Sequence, residues 1–240
     1  MYFLKLCDFI VQFNNGFEYL YRNSKEFQVE NPAQIDLSVT IPEELVIAKR
    51  GEENIPFGMV EGYELQRTVS DWLPLHNAFL LHCVCIDVDG TGVAFAAHSG
   101  TGKSTHMMLW QQLLGEKMTV VNGDKPFIRF FDEEPKTPYA YGTPWNGKER
   151  LGCNMRTPLK HICFITRAEQ NSTVKITKAE AITRIMNQVY MPKDPAATAA
   201  TLQLINRLID SVQLWEIRCN MELDAAKTAY NAIFGASNKN

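Results

Sequence analysis

One junction limits what this chain can fold into more than any other feature. An uninterrupted apolar run, Val93-Ala94-Phe95-Ala96-Ala97, leads through His98 into Ser99-Gly100-Thr101-Gly102-Lys103-Ser104-Thr105. A short run without polar alternation fits a strand buried on both faces. The two glycines admit left-handed backbone, which lets main-chain N–H groups close around phosphate oxygens. From about Lys103 to Leu114 the residues suit a helix, with Gly115 as its C-terminal cap. The start of that helix would add partial positive charge at the same place. Strand, glycine turn and helix together predict a phosphate-binding P-loop. Ser99 to Thr105 would cradle the phosphates of ATP, Lys103 would reach the β- and γ-phosphates, and the Ser104 hydroxyl would ligate Mg²⁺. The usual GxxxxGK[ST] pattern has glycine where this chain has Ala97, a position alanine can fill while its φ stays negative.

A metal-binding carboxylate is the next requirement, and Asp124 is the candidate. It follows the apolar strand Met118 to Val121, which ends at Asn122-Gly123-Asp124. A strand-end aspartate can hold Mg²⁺ or act in catalysis, and it can also be a plain turn residue. Lys125, Arg129, Lys148, Arg150 and Arg156 lie downstream, where one or two could stabilise a transferring phosphoryl group. The segment Tyr141-Gly142-Thr143-Pro144-Trp145-Asn146-Gly147-Lys148 reads either as a substrate loop or as a connecting turn with Trp145 packed down. His82, on the strand expected over Phe79 to Val88, is either a substrate or phosphate contact or a satisfied core histidine. His98 flanks the loop, and His106 on the following helix reads as structural.

The rest of the chain frames this junction. Residues 61 to 76 read as a helix with Tyr63, Val69, Trp72 and Leu73 on one stripe, ending near Pro74. The turn Asp89-Gly90-Thr91-Gly92 joins two strands. Phe127 to Phe131 and Tyr139 to Tyr141 suggest a hairpin, and Leu159 to Thr166 a strong strand. Helices are expected at about 178 to 190, 195 to 212 and 222 to 234, with Leu214 to Arg218 as an added strand. The middle helix would bury Leu202, Ile205, Leu208, Ile209 and Val212. Before residue 58 the chain reads as strands: Phe3 to Phe13, a turn at Asn14-Asn15-Gly16, a return over Phe17 to Tyr21, then Ile35 to Ile41 and Leu45 to Ala48. No chemistry is visible there. The expected organisation is a β-rich segment over 1–58 and a nucleotide-binding domain over 59–240. The fold class is α/β, a mixed sheet with flanking helices.

Bulk properties exclude several alternatives. Of 240 residues, 45% are hydrophobic and 21% charged, with a net charge of -3, which supports a sizeable core and argues against disorder. There is no basic excess to suit nucleic acid. The six cysteines, Cys7, Cys83, Cys85, Cys153, Cys163 and Cys219, form no CxxC pair and mostly sit in apolar runs, so reduced buried thiols are expected. Met1-Tyr2-Phe3-Leu4-Lys5 lacks the form of a secretory leader, and no run reaches the roughly 18 apolar residues of a membrane span. The expectation is a cytoplasmic protein that could form a homo-oligomer, with neither nucleic acid nor membrane as partner.

The pattern resembles the HPr kinase/phosphatase and ATP-dependent phosphoenolpyruvate carboxykinase superfamily. The residues carrying this are Leu81-His82-Cys83-Val84-Cys85-Ile86-Asp87, the turn at 89 to 92, Val93-Ala94-Phe95, Ser99 to Thr105, and the short step to Asp124. Leu159 to Thr166 followed by Ile176-Thr177-Lys178-Ala179-Glu180-Ala181 is similar to a later strand and helix of the carboxykinases. Lys103-Ser104-Thr105-His106, Asp124-Lys125-Pro126 and Tyr141 to Lys148 are similar to a subgroup of small HPr-kinase-like proteins. The resemblance covers roughly residues 60 to 234. It implies phosphate contacts from Gly100 to Thr105 and Mg²⁺ near Ser104 and Asp124. HPr kinases carry two consecutive acids at this strand end, and Gly123 stands where the first would be. Their RGxG signature has no clear counterpart, so HPr is not implied as substrate. Three functions follow as expectations: an ATP- and Mg²⁺-dependent kinase acting on a hydroxyl of a small molecule or a protein serine, a non-catalytic nucleotide-binding module, and a carboxykinase-type lyase.

Overall fold

The structure is a computed structural model and describes residues 1–14, 16–53 and 55–235. Its centre is the expected junction. Asp89 and Gly90 both take positive φ, 50° and 80°, and reverse β6 (Val84–Val88) into β7 (Thr91–Ala96). Along β7, Val93 and Phe95 face one helical layer while Ala94 and Ala96 face the other, all essentially inaccessible to solvent. A period-two strand covered on both sides therefore reads as a continuous apolar run.

The main sheet runs β5-β9-β10-β11-β7-β6-β8. Here β5 is Ala78–Leu80, β8 Met118–Asn122, β9 Phe127–Arg129, β10 Tyr139–Tyr141 and β11 Arg156–Arg167. The long β11 pairs antiparallel with β10 at its start, and parallel with both β7 and β13 (Gln213–Cys219) beyond it. β12 (Ser172–Lys175) closes that edge against β13. The carboxyl ends of β7, β11 and β13 thus point the same way, and the glycine loop follows β7 at that end. Helices α4 (Lys103–Leu114) and α7 (Leu223–Phe234) cover one face through Met107, Trp110, Ala226 and Ile233. Helices α5 (Lys178–Met186) and α6 (Pro195–Ser211) cover the other through Ile185, Leu204, Leu208 and Ile209. Leu202 is 41% exposed, so Thr201 and Leu204 take the inward positions expected of it.

The single strand expected over Phe79 to Val88 is broken in two. At the break, Leu81 bridges Val189, the His82 N–H donates to the Gln188 carbonyl (2.7 Å), and the Cys83 N–H donates to the Asp124 carbonyl (3.0 Å). Backbone partners outside the sheet pull His82 out of the ladder and toward Asp124.

Residues before 58 form a second sheet, β3-β1-β2-β4 (Gln28–Val29, Tyr2–Leu6, Phe9–Asn14 and Leu37–Thr40). Its hairpin turns at Cys7-Asp8, both at positive φ, and not at Asn14-Asn15-Gly16, where Asn15 lies outside the described residues. With the reversal spent early, Phe17 to Tyr21 makes no return strand; it leads into helix α1 (Tyr19–Asn23). Leu45 to Ala48 likewise lies in a helix, α2 (Glu43–Glu53), whose first turn carries Glu43 and Glu44 against the helix dipole. Helix α3 (Phe57–Trp72) starts earlier than expected and hands over to a 3₁₀ turn, Leu73–His76. The inward residues are Val60, Leu65 and Val69 of α3 and Leu73 of the turn; Tyr63 is 39% exposed and off that stripe. They share one core with Leu4, Leu6, Val11 and Phe13 of the small sheet, with Phe127 and Tyr141 of the large one, and with Trp145 in the loop after β10.

All six cysteines are free, and burial pushes the thiols of Cys7, Cys83, Cys85 and Cys163 up. Two histidines are held neutral inside. Nε2 of His106 accepts from Trp110 Nε1 (3.0 Å), and Nδ1 of His161 accepts from Trp215 Nε1 (3.2 Å). Burial lowers both imidazoles from 6.5 to about 4; nearby Lys175 and Lys160 add to the effect at His161. Between those values the unfolded chain binds protons that the folded chain refuses. Stability is therefore complete above pH 6.5 and falls as pH drops toward 4, with ~3 kcal/mol from His106 alone. Thermal melts should fall steadily from pH 7 to pH 4.5, and His106→Gln should flatten that slope. A flat native profile would contradict it.

Candidate functional site

The loop after β7 is curved by its glycines. Gly100 has φ 76° and Gly102 φ 122°, and no atom lies within 4 Å of where a Cβ would stand at either. Backbone conformation, rather than lack of space, is what demands glycine there. Ala97 is not among the positive-φ residues, as its place in the pattern requires. No side chain caps the first turn of α4, so its leading N–H groups face outward without a protein acceptor from that source. Lys103 is buried and folds back along the loop, donating from Nζ to the Ala97 carbonyl (2.9 Å). Burial lowers the pKa of its ammonium, opposed by the charge of Asp124.

Arg167, at the end of β11, had no distinguishing signal in the sequence. It grips the loop from behind, donating from Nε to the Thr101 carbonyl (3.0 Å) and from Nη2 to the Gly100 carbonyl (2.5 Å). In a trans peptide the C=O and N–H point opposite ways, so pinning the Thr101 carbonyl aims the Gly102 N–H toward the other side.

Asp124 sits on a braced turn. Its N–H and that of Lys125 donate to Oδ1 of the fully buried Asn122 (2.9 and 2.7 Å). Asn122 in turn donates to the Thr143 carbonyl (3.2 Å) and hydroxyl (3.0 Å). Nε2 of His82 is 3.1 Å from Asp124 Oδ1, and Lys125 Nζ is 3.9 Å from Oδ2. Burial pushes the Asp124 carboxyl up, but the His82 hydrogen bond and the charges of Lys125, His82 and Lys103 outweigh it and leave the group below its ordinary range. An anionic Asp124 results. A carboxylate and the Ser104 hydroxyl are a donor pair suited to Mg²⁺, which takes its remaining ligands from water and phosphate. Among the described residues no group of three or more His, Cys, Asp or Glu forms a metal cluster.

These groups open on a cleft of about 1220 Å³, lined by His82, Gly100 to Thr105 except Thr101, Asp124, Lys125, Lys148 and Arg150. Trp145 also lines it but is packed down, its Nε1 donating to the Gly62 carbonyl (3.0 Å). Arg150 holds positive φ, 51°, an uncommon conformation for a non-glycine residue. Arg129 and Arg156 are elsewhere: Arg129 donates to the Cys7 carbonyl and stacks on Phe9, and Arg156 pairs with Asp8. The opposite wall comes from the first 58 residues, through Tyr19, Arg22, Lys25 and Glu26, together with Tyr63 of α3. That segment showed no chemistry in the sequence, because its site-facing residues are ordinary surface types whose placement only tertiary structure supplies.

Gly123 has a steric cause. A Cβ there would stand 2.5 Å from the Asn146 carbonyl oxygen and 2.9 Å from that of Leu151. The loop after Trp145 fills the space that the first acid of an acidic pair would need.

No protein-family model matches the chain, and no curated protein matches it. The solved structure of the HPr(Ser) kinase/phosphatase from Coxiella burnetii is similar over 52% of this chain and 86% of that one, at 10% identity and a TM-score of 0.30. That likeness is too slight to bear on fold or function. By its own elements the chain is α/β with mixed sheets, and none of its described helices is long and apolar enough to cross a membrane.

Proposed function

We propose that this chain is an ATP- and Mg²⁺-dependent phosphotransferase that passes a γ-phosphoryl group to a hydroxyl. The observation that supports it most is the union of a positive-φ glycine loop, an uncapped helix start and an anionic aspartate in one cleft. Ser99 to Thr105 bind and orient the polyphosphate, and Lys103 leaves the Ala97 carbonyl to meet its β- and γ-oxygens. Bound at Ser104 and Asp124, Mg²⁺ would neutralise charge on the transferring group. His82 holds Asp124 in position, and Lys148 and Arg150 provide positive charge at the cleft wall. The acceptor, a small molecule or a protein serine, enters past Trp145.

Asp124→Asn is the test. ATP turnover against a panel of hydroxyl metabolites and serine peptides should fall about 10²–10³-fold, while nucleotide binding persists. Full turnover in this variant would overturn the role given to Asp124. A second reading, a nucleotide-binding module without catalysis, is favoured by the backbone that occupies the place of a second acid at Gly123. Tight ATP binding with no turnover by the native chain would select it.

A further inference from the structure

A second pocket, of about 570 Å³, lies on the β11 side of the phosphate loop. Its floor is apolar: Ala96, Ala97, Phe164 and Ile165, at the carboxyl ends of the parallel strands β7 and β11. Crevices beyond such strand ends are where open α/β sheets take ligands. Its rim is polar. The Arg184 guanidinium lies 5.6 Å from the Phe164 ring centroid and is held by Glu216 (2.9 Å). With its amide nitrogen turned toward them, Gln188 donates to the carbonyls of Ala97 and His82 (3.1 Å each), which ties the end of α5 to the loop. Asn187 beside it is exposed, and its side-chain amide makes no hydrogen bond among the described residues.

We infer that this pocket takes the purine base and ribose of the nucleotide whose phosphates the loop holds, an inference that rests on the function proposed above. Three features carry it. Ser99 and Gly100 line both the pocket and the large cleft, so one ligand can span the loop with its phosphates on one side and its nucleoside on the other. The apolar floor and the fixed guanidinium offer flat surfaces to a planar heterocycle. The unspent amide of Asn187 has a donor and an acceptor side by side, the pairing that an adenine edge accepts. Seating the nucleoside here leaves the larger cleft to the acceptor.

Titration calorimetry with Mg²⁺-tripolyphosphate and Mg²⁺-ATP, on the native chain and on Asn187→Trp, tests this. Native protein should bind ATP at least ~10-fold more tightly than tripolyphosphate. In Asn187→Trp the ATP affinity should fall to that of tripolyphosphate, which itself stays unchanged. Thr166→Trp, from the exposed opposite rim, should do the same and guards against a folding defect in the first variant. Equal native affinities for the two ligands, or variants that weaken both ligands alike or neither, would overturn the pocket while leaving the phosphate site standing. Native protein that binds neither ligand would overturn both.

Discussion

Replacing Lys103 by alanine is expected to remove phosphoryl transfer and leave the fold in place. Lys103 is 9% exposed, and its side-chain hydrogen bond goes to the Ala97 carbonyl. That carbonyl keeps a second donor in Gln188, so the substitution leaves no buried acceptor unpaired. Burial also disfavours the ammonium, and on the function proposed above a bound phosphate would supply the partner that offsets this. Loss of one such preorganised charge costs about 10²–10³ in kcat, or roughly 3–4 kcal/mol of transition-state stabilisation. The melting temperature should move by no more than a few degrees. Lys103→Arg should not rescue, because a planar fork does not replace a compact ammonium in a closed loop. The check is ATP turnover beside a thermal melt. Turnover within threefold of native would remove Lys103 from the chemistry.

Gly123→Asp should do the opposite and damage the fold directly. It would create the acidic pair that the HPr kinases carry, but the new Cβ meets two backbone oxygens, at 2.5 and 2.9 Å, and neither belongs to a side chain that can swing away. Either the 146–151 loop shifts or the Asn122 turn opens, and both are tied to Thr143 and Trp145. A cost of about 3 kcal/mol or more is expected, seen as a lower urea midpoint. An unchanged midpoint would show that the loop yields and that the steric account of Gly123 is wrong.

What could be read from the sequence and what could not divides along physical lines. The strand–loop–helix junction was legible because its signals are local: an apolar run, two glycines, and Gly115 as helix stop. Most strands and helices from 118 to 234 carry the same kind of signal and lie close to where their periodicity put them, although β12 was not expected and α5 stops at Met186, short of 190. Leu45 to Ala48 misled because four apolar residues fit a strand as well as one turn of helix, and only the acids before them break the tie. The hairpin at Cys7-Asp8 was hidden because neither residue is a glycine, though Asp8 tolerates the left-handed form. Of the candidate site, the place of Asp124 just past a strand end was visible. Arg167, the Asn122–Thr143 brace and the wall from residues 19–26 were not, because each depends on partners distant in the chain.

Helix α3 binds the small sheet and the large one into a single apolar interior, so the floor and roof of the cleft are inherited as one piece. A lineage cannot exchange the first 58 residues for another segment without rebuilding what keeps the protein folded. On the function proposed above, new acceptors would have to be won by changing side chains on the cleft walls, one at a time, on a frame that stays whole.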